Sequence, residues 1–254
     1  MLINLKAFFV FLPVVLTLMT VPSTWAADIR VLSSNAMTET MQNITVAFEK
    51  QTGHKLIAVY EPTNMILDRL NRGEKADVVI LIKASLDGLV NNNAVKNETA
   101  VDVAKTPLCL AMKTGHVKPD ITTPESFAKS MLAAQSIAIS KVGASGIQFT
   151  RALQAVGIYE ELKPRIQLIE GAQRVGDVAA EGKAEYAVQL ISELLPVKGI
   201  EIVGPLPGAL NFEVVLAAAV LAGTSEDAAA RSLLQFLKTP ASAAVFRATG
   251  MEPL

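Results

Sequence analysis

The chain has 254 residues, 51% of them hydrophobic, with 23 Lys and Arg against 24 Asp and Glu and a formal net charge of −1. That balance lacks the basic excess of a nucleic-acid-binding face, and two His with one Cys do not make an obvious metal cluster. The length suits one large or two small domains with proper cores.

Lys6 is the only charged side chain before Asp28, and it precedes an apolar run from Ala7 to Met19, then Pro22, Ser23, Thr24 and Ala26. This pattern predicts a secretory signal peptide over residues 1–26, cut after Ala26. The apolar run is shorter than the roughly 18–20 residues of a membrane-spanning helix. No Cys stands at the cut to carry a lipid, so the exported chain is expected to diffuse freely. Export removes Trp25, leaving Tyr60, Tyr159 and Tyr186 and a poor supply of sugar-stacking surface. Cys109, inside an apolar stretch, reads as a small buried hydrophobe.

Beyond the signal, strands and helices alternate. Ile29 to Leu32 predicts a short strand, which gives way at Ser33, Ser34 and Asn35 to a helix over Thr38–Gln51, apolar at Met41, Ile44, Ala47 and Phe48. Gly53 ends that helix. Leu56 to Tyr60 is the next strand, followed by a turn at Glu61 to Asn64 and a helix from Met65 to Leu70. Asp77 opens a third strand, Val78 to Ile82. The βαβα order implies a mostly parallel sheet with helices on its faces.

Leu108 to Met112 predicts a strand crossing into a second unit, because the pattern then restarts. Thr123 and Pro124 read as an N-cap and first-turn proline of a helix to Ala134. Ile137 to Ile139 is a strand, and Gly143 to Gly146 opens a helix to Val156. Ile166 to Ile169 (strand), Val175 to Ala180 (helix) and Ala187 to Leu190 (strand) follow. Pro205, Pro207 and Gly208 interrupt the pattern before an apolar strand over Phe212–Ala222 and two helices, Glu226–Lys238 and Pro240–Ala248.

Four times a strand ends in small polar residues that immediately begin a helix: Ser33 to Asn35, Thr63 and Asn64, Ser145 and Gly146, Gln173 and Arg174. Open α/β sheets bind ligands at the carboxyl ends of their strands, where helix N-termini present free N–H groups and positive dipole ends. Four such ends on one cleft would hold an anion, although each taken alone also reads as a helix cap.

The order of segments resembles the periplasmic molybdate-binding proteins. The resemblance spans essentially the whole exported chain. It is carried by the strand into Ser33-Ser34-Asn35-Ala36-Met37 before Met41-Gln42-Asn43-Ile44, and by Asn71-Arg72-Gly73 before Ala76-Asp77. The helix start at Ser145-Gly146 and Lys238-Thr239-Pro240 before a short helix with Phe246 complete it. It implies an α/β, two-lobed type II periplasmic binding protein fold, each lobe a mixed, mostly parallel sheet flanked by helices, joined by a two-strand hinge. Lobe one would comprise residues 27–108 with 206–254, and lobe two residues 109–205. It further implies a monomer in the periplasm that captures a small anion and delivers it to the membrane permease of an ABC transporter, with no cofactor.

The ligand-binding residues carried over are Ser34, Asn35 and Ala36 at the family's first Ser, and Thr63 and Asn64 at the second. Ser145 and Gly146 stand at the second-lobe helix start, Gln173 and Arg174 where the family uses backbone N–H, and Gln189 beside Leu190, which occupies the family's Tyr position. The family's ligands are molybdate or tungstate. The altered shell and the Arg174 guanidinium also suit a planar carboxylate, which Arg holds with two parallel hydrogen bonds. Arg174 alternatively pairs with Glu170 or Asp177, and Glu61 is expected to face solvent or a base, since in the cleft it would repel an anion.

No enzyme is expected from the nucleophile motifs. Ser126 and Lys129 have a Ser-x-x-Lys spacing, but Lys113-Thr114-Gly115 precedes it, contrary to the order in penicillin-recognising enzymes. Gly143-Ala144-Ser145-Gly146 lacks the second Gly of a nucleophile elbow.

Overall fold

The computed structural model describes residues 26–170 and 173–254, so the predicted signal peptide, apart from Ala26, lies outside the described residues. β1 (Asp28–Ser34) passes through a 3₁₀ turn at Asn35–Met37 into α1 (Thr38–Thr52), which buries Thr40, Met41, Ile44 and Phe48 on one face. Gly53 ends α1 at φ 78°, a left-handed conformation that costs a residue without Cβ least. β2 (Lys55–Glu61), α2 (Thr63–Asn71), β3 (Val78–Ile82) and α3 (Lys83–Asn91) follow. β4 (Val101–Lys113) is 13 residues long.

After β4 come α4 (Pro124–Ala133), β5 (Ile137–Ser140), α5 (Ala144–Ala155), α6 (Tyr159–Leu162), β6 (Ile166–Ile169), α7 (Val175–Ala180) and β7 (Tyr186–Leu190). The chain closes with α8 (Ile191–Leu194), β8 (Ile200–Pro205), β9 (Glu213–Val220), α9 (Asp227–Leu237), α10 (Pro240–Ala248) and β10 (Glu252–Pro253). α4 starts with the expected Thr123 cap and first-turn Pro124. Ser126 answers Thr123 in a reciprocal capping box, which gives that serine a structural place.

The strands form one path in the order β2-β1-β3-β9-β4-β7-β5-β6, with β8 and β10 also paired to β4. β2, β1 and β3 are mutually parallel, as are β6, β5 and β7, while every pairing of β4 and β9 is antiparallel. β4 belongs to both halves. Its residues up to Pro107 pair with β9, and from Leu108 onward they pair with β7. β3 and β9 are buried along nearly their whole length, which explains their uninterrupted apolar sequences. The fold is thus two-lobed, with helices flanking a mixed sheet in each lobe.

One buried carboxylate ties the first lobe's strands together. Asp77, just before β3, accepts the Arg30 backbone N–H at 2.8 Å and the Thr224 hydroxyl beyond β9. Asp77→Ala is expected to cost about 1–3 kcal/mol by orphaning the Arg30 N–H and the Thr224 hydroxyl, measured as a lower midpoint in urea unfolding.

Candidate functional site

The carboxyl ends of β1, β3, β5 and β7 and the starts of α2 and α5 surround a narrow cleft with about 300 Å³ of space, open solvent included, of which a cavity of about 20 Å³ admits water-sized groups. From the first lobe it is lined by Ser34, Asn35, Pro62, Thr63 and Ile82. From the second come Ser140, the Gly143 to Ser145 turn, Leu190 and Glu193. Lining from both lobes makes this an interlobe cleft, in the place where open α/β sheets hold ligands.

Its polar groups have spare capacity. The Thr63 hydroxyl is buried without a hydrogen-bond partner among the described residues, an arrangement that costs stability unless a ligand supplies the partner. Ser145 is only 3% exposed, on the first turn of α5. The first backbone bond into that helix runs from the Ile147 N–H to the Gly143 carbonyl, so the N–H groups of Ala144, Ser145 and Gly146 have no intrahelical acceptor. The turn is held by the Gly143 N–H, which donates to the Ser140 hydroxyl at 2.9 Å. Gly146 lets α5 lie directly on β5: a Cβ there would sit 1.8 Å from the Ser140 carbonyl oxygen. Pro62, Ile82 and Leu190 supply an apolar wall.

Among the described residues Glu193 is the only charged one in the lining. The Gln189 amide donates to its carboxylate at 2.7 Å, and among the described residues no Lys, Arg or His stands within ion-pair distance. Desolvation pushes the carboxyl up to about 7, against the lowering effect of the hydrogen bonds from Gln189 and the Leu190 backbone. The folded protein therefore binds this proton more tightly than the unfolded chain, and the group's contribution to stability falls as pH rises from about 4.5 to about 7. Glu193→Gln, which keeps the acceptor for Gln189, is expected to melt several degrees above wild type at pH 8 and level with it near pH 4.5. Parallel melting curves across that range check this.

Of the residues singled out in the sequence, Ser34, Asn35, Thr63 and Ser145 meet at the cavity. Ala36 is buried behind it and donates its N–H to the Ser34 hydroxyl at 3.4 Å, while Gly146 packs on β5. Gln189 is buried and reaches the cavity through Glu193. Asn64, Gln173 and Arg174 are exposed and outside the lining. The Arg174 side chain is 55% exposed and forms a two-bonded ion pair with Asp177, 2.8 Å in each bond. Glu61 pairs with Arg69 through both carboxylate oxygens and is not in the lining. Sequence reasoning missed Glu193 and Ser140. Both stand at or just past a strand's carboxyl end, the rule already applied to β1, β2 and β5. It overlooked them because Ser140 is followed by Lys141 and Glu193 by further apolar residues, without the run of small polar residues taken as the signal.

Residues 29–252 match the family described as bacterial extracellular solute-binding protein, and the chain belongs to that family. It is 33% identical over 230 residues to an aconitate isomerase from Pseudomonas sp., covering 88% of this chain and 87% of that protein. The molybdate-binding protein ModA of Escherichia coli (strain K12) is 22% identical over 226 residues, covering 87% of this chain and 88% of that one. The solved periplasmic molybdate-binding protein of Azotobacter vinelandii superposes with a TM-score of 0.72 at 19% identity, covering 88% of this chain and 98% of that one. The fold is accordingly that of the type II periplasmic binding proteins, similar to the molybdate-binding ones, as the order of segments implied.

Proposed function

We propose that this member of the extracellular solute-binding family captures a small organic polycarboxylate between its lobes, residues 27–108 with 206–254 and residues 109–205, and presents the closed form to an ABC permease from the periplasm. The observation that carries this is the interlobe cavity, where an unpartnered Thr63 hydroxyl and the free N–H groups of α5 face an apolar wall of Pro62, Ile82 and Leu190. Oxygens of an anion satisfy the first set, and a carbon frame covers the second. Ligand contacts to both lobes stabilise closure, and differential affinity for the closed state sets how far the population shifts. Two strand connections would serve as the hinge, β4 near Leu108 and the return from β8 to β9.

A second reading, a molybdate- or tungstate-type oxyanion, is favoured by the neutral donors, which also suit a tetrahedral ion. A third adds catalysis to carboxylate binding: the aconitate isomerase relative acts, by its name, on an unsaturated tricarboxylate, and Glu193 gives this cleft a titratable group.

A melting screen of the exported chain against molybdate, tungstate, sulfate, citrate and both aconitate isomers tests these readings. A ligand at about a hundred times its Kd adds roughly 2.7 kcal/mol, a rise of about 5–10 °C at this size. A rise with carboxylates alone supports the first reading, and a rise with molybdate and tungstate alone replaces it with the second. Thr63→Val should leave the unliganded melting temperature unchanged or higher and weaken the bound anion about tenfold or more, the scale of a hydrogen bond to a charged group. Unchanged affinity removes Thr63 from the site.

A further inference from the structure

One charged side chain in the cavity opposes the capture of an anion. Glu193 has no counter-cation within ion-pair distance among the described residues, it shares the lining with Thr63 and Ser145, and the buried Gln189 holds it there. A carboxylate in that position repels an anionic ligand, and an apolar or amide side chain would bind better. A group that weakens anion binding, yet lines the cavity and is fixed there by the hydrogen bond from Gln189, is suited to move a proton.

Resting on the polycarboxylate reading, we infer that Glu193 is the general acid and base of an isomerisation, shifting a proton between the two ends of an allylic unit in an unsaturated polycarboxylate. The Glu193 carboxylate takes a proton from a CH₂ that lies between a carboxylate and the C=C bond. The C–H electron pair spreads over the three-carbon unit and the attached carboxylates. The protonated Glu193 then returns the proton to the far carbon, the double bond moves by one position, and the carboxylate is regenerated. Bonds and charge balance with no oxidant, reductant or water consumed. The Thr63 hydroxyl and the free N–H groups at the start of α5 stabilise the charge that builds on the carboxylate oxygens, as oriented donors do in sites shielded from water. Burial holds the Glu193 carboxyl at about 7, so both forms are populated at neutral pH, the condition under which one group serves as acid and base.

The test uses the purified protein with trans-aconitate and, separately, cis-aconitate in deuterated buffer, followed by proton NMR, with melting curves on the same samples. Wild type is expected to interconvert the isomers or exchange carbon-bound hydrogen with solvent. Glu193→Gln should slow this by at least a hundredfold, while its melting rise with aconitate persists or grows. Glu193→Asp, which keeps the carboxyl and retracts it, should fall between the two. Turnover by Glu193→Gln at the wild-type rate overturns the inference, as does wild-type protein that gains a melting rise from aconitate without conversion or exchange. That second result leaves polycarboxylate capture standing, whereas no melting rise with any carboxylate removes capture and the isomerisation together.

Discussion

Gly146→Ala is expected to destabilise the protein by about 3 kcal/mol, the upper end of the usual cost of overpacking, and to abolish the melting response to ligand. The added Cβ would sit 1.8 Å from the Ser140 carbonyl oxygen and 2.9 Å from its carbon. Both are backbone atoms at the end of β5, so no flexible side chain can swing away. Either α5 lifts off the strand or the strand end bends. In both cases the N–H groups of Ala144 and Ser145 move relative to Thr63 across the cleft, and an ångström of displacement in an oriented site can cost about a hundredfold. The melting temperature should drop by roughly 6–12 °C, and calorimetric titration should detect no ligand binding. A variant that melts and binds like wild type would mean that α5 need not rest on β5.

Phe48→Ala carries the second large effect. Phe48 is 0% exposed on the inner face of α1, with the Phe236 ring of α9 edge-on at 5.4 Å and His54 at 6.1 Å. Truncation removes transfer energy and leaves a cavity between two helices already fixed by other contacts, so a cost of about 3–5 kcal/mol is expected. Because Phe48 lies away from the cleft lining, the affinity of the surviving folded protein should be unchanged. That separates this loss from the Gly146 variant, in which stability and binding fall together.

Where a local signal was strong, the sequence disclosed the element closely. Gly53 stops α1 as its left-handed φ requires, Thr123 and Pro124 open α4, and Pro240 and Ala248 bound α10 as expected. β4 was legible only over Leu108–Met112, because its first half carries Asp102, Lys105 and Pro107 at partly exposed positions, and their place in the sheet comes from the distant β9. The short β8 and α8 have too few residues to show a period, and α3 opens on Lys83 with no side-chain cap to announce it. For the site, the rule that strand ends open into helix starts located Ser34, Thr63 and Ser145 at one cavity. The same rule pointed to Gln173 and Arg174, which follow β6, the marginal strand of the sheet, and do not line the cavity. Strand order decides which ends converge, and strand order is a long-range property that local patterns do not contain.

The shared strand β4 also sets an order of assembly on a chain released from its N-terminus. All partners of the second lobe's sheet, β5, β6, β7 and β8, follow β4 directly, so that half can close once Pro205 is free. The first lobe cannot. Val78 pairs with Val220 and Thr106 with Val214, so β3 and the front of β4 wait, edges bare, for nearly the last strand to arrive. Bare edges of apolar strands recruit other chains. A nascent polypeptide cut short before β9 would therefore carry a finished second half beside an adhesive first half, and the dangerous interval of this protein's biogenesis ends only when β9 arrives.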